Sequence, residues 1–173
     1  VTLTLPKVER VLGIGVSVRE NTELVSFAMP ALTAVANLLS SDCPRLATLS
    51  MPKLREALKV DIFDAPGFER LEFPELARVH EWIGLRANEA LVSVSLPVLT
   101  RLGPPSPGRQ AGLSMEDNPV FLTLDAPRLE TIDANLRVAR NGALDALTLP
   151  ALATVGGGLT FLENPGLAEV SLA

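Results

Sequence analysis

Short apolar stretches with period-two alternation recur along the whole chain, and each closes on a proline: Pro6, Pro30, Pro52, Pro74, Pro97, Pro127 and Pro150. The spacings are 24, 22, 22, 23, 30 and 23 residues, so the repeating unit is a supersecondary element of about 23 residues. Aligned on proline, the lead-in gives apolar pairs such as Phe27/Met29, Leu49/Met51, Leu71/Phe73 and Leu147/Leu149, which predict a strand with one buried face. Two and five residues after proline come further apolar positions, Leu32/Val35, Leu54/Ala57, Leu76/Val79 and Leu129/Ile132 among them. A linker of variable length then leads to a second strand, with pairs Val16/Val18, Val60/Ile62, Ile83/Leu85, Leu113/Met115, Leu136/Val138 and Leu159/Phe161. Leu38/Ser40 is the one pair in that column with a polar member.

Asparagine closes the unit at Asn21, Asn88, Asn118, Asn141 and Asn164, with Cys43 and Ala65 in the two other repeats. Proline lacks an amide hydrogen and has a fixed φ, which suits the end of a strand where a ladder donor is no longer needed. Asparagine tolerates left-handed backbone, and its amide both donates and accepts, so a stacked column of it can satisfy turn backbones in successive repeats. A unit of this size cannot bury its apolar side alone, so neighbouring repeats must stack. The prediction is a mainly β fold: a parallel β-solenoid of about seven leucine-rich coils of 22–30 residues, right-handed by the general preference of parallel crossovers. At about 4.8 Å per strand, seven coils make a rod of roughly 35 Å. Residues 1–173 form a single repeat domain, open at both ends. The linker after the proline turn is short in six repeats and becomes the proline-rich insertion 103–112 in the fifth, which marks that corner as solvent-facing.

Composition narrows the function classes. Hydrophobic residues make up 47% and aromatics only 4%, which suits a thin core of stacked aliphatic rows. Net charge is −5 without a Lys/Arg run, which argues against a nucleic-acid partner, and no apolar run is long enough to span a bilayer. The single Cys43 excludes an internal disulfide framework and a cysteine-based zinc cluster.

The run Leu149-Pro-Ala-Leu-Ala-Thr-Val155, followed by Gly156-Gly-Gly-Leu-Thr-Phe161 and Asn164, resembles the receptor L-domain family of the leucine-rich-repeat superclass. That resemblance implies a right-handed β-solenoid, usually outside the cytoplasm, that acts in recognition or adhesion without catalysis. Eukaryotic members carry cysteines and capping elements that this chain lacks, so their ligand sites do not transfer to its positions. The Ala/Arg/Pro-rich composition resembles a bacterial relative.

Candidate chemistry is sparse. His80 is the only histidine and Trp82 the only tryptophan, and both sit in the corner tripeptide His80-Glu81-Trp82. An exposed Trp can anchor a partner or a sugar, whereas the plainer reading folds the ring over the solenoid corner. Arg109 and Gln110, near the tip of the insertion, are the other candidate ligand contacts. The position before the Asn column reads Glu20, Asp42, Asp64, Ala87, Asp117, Arg140, Glu163, either a calcium-relieved carboxylate ladder or a run of good turn formers. Outward positions of the first strand are mostly Ser and Thr, interrupted by Arg70, Glu72 and Asp125. No metal, cofactor or catalytic residue is assigned. The expected partner is a protein or glycan ligand at a surface. The chain opens directly on strand and stops where an eighth proline would come, which reads as a slice of a longer surface protein or as a subunit that stacks head to tail.

Overall fold

The computed structural model describes residues 1–103 and 112–172. They build a mainly β solenoid of about seven stacked coils without helices. Each coil contributes a short front strand before its proline and a longer back strand after it. The front strands are Thr2–Thr4, Ser26–Ala28, Thr48–Ser50, Arg70–Glu72, Ser93–Ser95, Thr123–Asp125 and Ala146–Leu149, and Glu169–Leu172 adds an eighth. All pairing is parallel and keeps the register of the proline alignment: Thr2 opposes Ser26, Ser26 opposes Thr48, and Ser93 opposes both Arg70 and Thr123.

The columns read from the sequence line the core. Phe27, Met29, Met51, Leu71, Phe73, Leu96 and Leu149 are at most 2% exposed, as are Leu54, Leu76, Leu99 and Leu129 behind them. The two corners are hydrogen-bonded turns. The carbonyls of Met29, Met51, Phe73, Leu96, Ala126 and Leu149 each accept from the amide three residues on, which places the proline at the second turn position, where its fixed φ is pre-set. At the opposite corner the same three-residue closure runs from Leu24 to Asn21, Phe121 to Asn118 and Leu144 to Asn141. Its closing residues, Leu46, Phe68, Leu91, Phe121 and Leu144, form a further fully buried column, six residues before each proline.

Two features differ from the sequence reading. The variable linker is no linker in coils two to four, where Ala34–Ser41, Glu56–Phe63 and Arg78–Arg86 run as unbroken strands. Extended backbone there keeps ladder partners on both sides, which a loop would forfeit. Left-handed backbone belongs to the column before asparagine and not to asparagine itself: Glu20, Asp42, Asp64, Ala87, Asp117, Arg140 and Glu163 all have φ between 51° and 58°. Asp42, Asp64 and Asp117 suit that column because short polar side chains tolerate the left-handed conformation.

The back strands form one continuous eleven-stranded sheet, whereas the front strands divide into groups of three, three and two. One division separates Thr48–Ser50 from Arg70–Glu72, where coil four brings in phenylalanine at both corners, Phe68 and Phe73. A cleft of about 350 Å³ opens there, lined by Thr48, Ser50, Arg70 and Glu72. The back sheet is the spine that carries outward side chains in register across every coil.

Candidate functional site

Period-two alternation turns Val60 and Ile62 into the core and leaves Lys59, Asp61 and Phe63 on the outer face of Glu56–Phe63. On Arg78–Arg86, Ile83 and Leu85 point inward, so Trp82, Gly84 and Arg86 face out. Register sets these as cross-strand pairs: Lys59 with Trp82, Asp61 with Gly84, Phe63 with Arg86. A β-bulge between the Ala57 and Lys59 pairings inserts one extra residue into the coil-four strand, and His80 and Glu81 lie on it. Bulges re-aim side chains, and this one precedes Trp82 directly.

Each side chain is held. Lys59 Nζ lies 3.0 Å from Asp61 Oδ2. The Arg86 guanidinium stands 5.2 Å from the centroid of the Phe63 ring, within cation–π range. His80 Nε2 is 2.5 Å from Glu56 Oε1 in the neighbouring coil. A Cβ on Gly84 would fall 2.1 Å from Trp82 Nε1 and 2.6 Å from Asp61 Oδ1, so the indole edge and the carboxylate fill the space that Gly84 leaves. Glycine is required here for room, not for its φ. Trp82 is half-buried by this arrangement, lying along the sheet face rather than over the corner.

Lys59, Asp61, Glu81, Trp82 and Arg86 surround a hollow of about 270 Å³. A second hollow of about 520 Å³ over coils one to three shares Lys59 and Asp61 with it and is lined further by Ile14, Ser17, Arg19, Asn37 and Leu39. Together they form a groove that crosses the strands. Its walls mix positive, negative, amide, hydroxyl and apolar groups.

Of the site residues read from sequence, the structure sets Trp82 beside Lys59 and Asp61, while His80 lies on the bulge with its ring against Glu56, outside the lining of the hollow. Arg109 and Gln110 lie outside the described residues. The residues that bracket their insertion are placed: Leu102 pairs with Val79 and Gly112 with Trp82. Sequence reading missed Lys59, Asp61, Phe63, Gly84 and Arg86. The outward positions of the second strand, set out column by column, would have exposed them.

The asparagine column is a ladder. Asn118 Oδ1 accepts from the Asn88 amide at 3.1 Å, while its Nδ2 donates to the carbonyls of Leu85 and Glu116 at 3.1 and 3.0 Å and to Asn141 Oδ1 at 3.2 Å. Asn141 repeats the pattern with Met115, Ala139 and Asn164, and Asn88 reaches back to Ile62. Asn88, Asn118 and Asn141 are fully buried, so the ladder is architecture. Beside it Arg140 bonds Asp117 at 2.5 and 2.8 Å and Glu116 at 3.2 Å, and Arg137 reaches Glu116 at 3.0 Å. The bond from Arg140 holds the Asp117 carboxyl below its ordinary value. For Glu116, burial works against the charge, but hydrogen bonds from Ser114 and Arg137 outweigh it and the carboxyl again lies low. Cys43 is fully buried, its thiol donating to the carbonyls of Ser41 and Val18. Among the described residues no group of three His, Cys, Asp or Glu side chains is placed to hold a metal ion.

No protein-family model, no curated protein and no solved structure matches this chain.

Proposed function

We propose that the chain is a non-enzymatic recognition or adhesion module of a cell-surface or secreted repeat protein, of the receptor L-domain type within the leucine-rich repeats and of bacterial kind, which meets a protein or glycan ligand on the outer face of its back sheet. The observation that carries this reading is the groove itself: a half-buried Trp82 set among paired charges on a rigid, fully laddered sheet. Rigid sheets that hold an aromatic anchor in a fixed place lose little entropy on binding. The burial of Cys43, whose thiol donates to backbone carbonyls, supports the non-catalytic side of the proposal, since that thiol does not stand ready as a nucleophile.

The test is a glycan array and a surface pull-down with wild type, Trp82→Ala and a variant whose 103–112 segment is replaced by a short linker. Binding that falls with Trp82→Ala supports the reading. A wild-type signal no stronger than that of an unrelated solenoid, or consumption of the bound material, overturns it. A second reading, end-to-end stacking of copies, draws on the exposure of inward columns in the outer coils: Leu3 is 44% and Leu159 50% exposed. Concentration-dependent light scattering decides it, and a monomer that stays unchanged at high concentration sinks it.

A further inference from the structure

Resting on the recognition reading above, we infer that the groove over Lys59, Asp61 and Trp82 binds a neutral oligosaccharide laid along the solenoid axis. Three observations carry this. The first is chemical. Arg19, Lys59 and Arg86 offer donors, Asp61 offers acceptors, and Trp82 and Leu39 offer apolar surface within one groove. Sugar rings present hydroxyls that both donate and accept, alongside apolar C–H faces, and a wall of alternating donors and acceptors around an indole matches them.

The second is charge. The lining sets Arg19, Lys59 and Arg86 against Asp61 and Glu81, with Lys59 paired to Asp61 at 3.0 Å, so the charges nearly balance and the groove has no concentrated positive field to draw in a polyanion. The third is direction. The groove crosses the strands from coil one to coil four, so its side chains repeat at the strand spacing of about 4.8 Å, close to the length of one pyranose unit. Three such steps span roughly 14 Å, enough for a tri- or tetrasaccharide. An extended peptide would bind by adding to a sheet edge. Here Ala34–Ser41, Glu56–Phe63 and Arg78–Arg86 are paired on both sides and only Val16–Arg19, the end strand of the sheet, keeps a free edge, so over coils two to four the face offers side chains only.

Because Trp82 is the sole tryptophan, its fluorescence reports on this groove alone. The experiment titrates the whole chain with cellotetraose, laminaritetraose, mannotetraose and chitotetraose, with a heparin tetrasaccharide as the anionic comparison. A saturable emission shift with at least one neutral tetrasaccharide is expected. Calorimetry should then show Trp82→Ala weakening it by at least about 30-fold, the loss of a hot-spot side chain. Gly84→Ala is the second variant: it keeps the indole but places a methyl 2.1 Å from Nε1, displacing the ring, and should weaken binding while far-UV circular dichroism stays unchanged. Response to heparin alone, response to none of the five, or undiminished binding by Trp82→Ala each overturns the proposal. A blank sugar panel with a pull-down still sensitive to Trp82→Ala would end the glycan assignment and leave the recognition reading standing; loss of both would end both.

Discussion

Replacing Asn118 with alanine tests the ladder that holds successive coils together. The side chain is fully buried, accepts from the Asn88 amide, and donates to Leu85 and Glu116 carbonyls and to Asn141. Truncation leaves a buried Asn88 N–H without a partner, which costs about 1–3 kcal/mol, and removes further bonds worth about 0.5–1.5 kcal/mol each. The combined loss is about 3 kcal/mol, which for a domain of this size lowers Tm by roughly 10 °C. Asn21→Ala is the matched control. Asn21 sits in the same column but is exposed and makes one side-chain bond, to the Arg19 carbonyl at 2.6 Å, so its loss should cost no more than about 1 kcal/mol. Thermal melts followed by circular dichroism compare the two. If Asn118→Ala melts within a degree or two of Asn21→Ala, the buried ladder does not stabilise the stack and the reasoning fails.

Ser40 is fully buried in the column of Val18, Ile62 and Leu85, and its hydroxyl has no hydrogen-bond partner. Ser40→Val should therefore raise stability by about 1 kcal/mol in a urea melt, and a lowered midpoint would show that the site has no room for the extra methyls. Asp117 and Glu116 are held below their ordinary values of 3.8 and 4.5, so the stability they lend is present above those values and is lost as pH falls through the lower folded ones. Arg140→Gln should accordingly be less stable than wild type at pH 7, with the gap closing in acid; a gap that persists at pH 2 would contradict the assignment. At the divided front sheet no ladder bond joins Met51 to Glu72, whereas Met29 is bonded to Ser50 and Phe73 to Ser95. Hydrogen exchange should be at least about tenfold faster at the Met51 amide than at Met29 or Phe73, and equal protection would show the division to be closed in solution.

The fold was legible because its signals are local and repeated. A strand one face deep announces itself by alternation, and proline at the second turn position is demanded by φ, so both columns stand in the same place in nearly every coil. The continuous strands of coils two to four were hidden because Asn37, Leu58 and Lys59 look like loop residues; only pairing to neighbours on both sides makes them strand. The left-handed column was placed one residue late for a related reason: asparagine's tolerance of that conformation is a propensity, whereas its ladder of buried hydrogen bonds is a tertiary demand that prevailed. The groove was half visible. Trp82 and His80 stood out as single occurrences, but Lys59, Asp61 and Arg86 are ordinary residues whose meaning comes from register, and the space above Gly84 exists only once Trp82 and Asp61 are set beside it.

The most direct test of the account is the amide hydrogen-exchange footprint of the chain bound to whichever glycan or surface protein it captures. Protection should fall on the back sheet at residues 14–19, 37–39, 59–63 and 82–86, strongest on the last two, with the front strands unchanged. A footprint on the Ser/Thr front face or on the asparagine corner, with 59–63 and 82–86 unaffected, would contradict it.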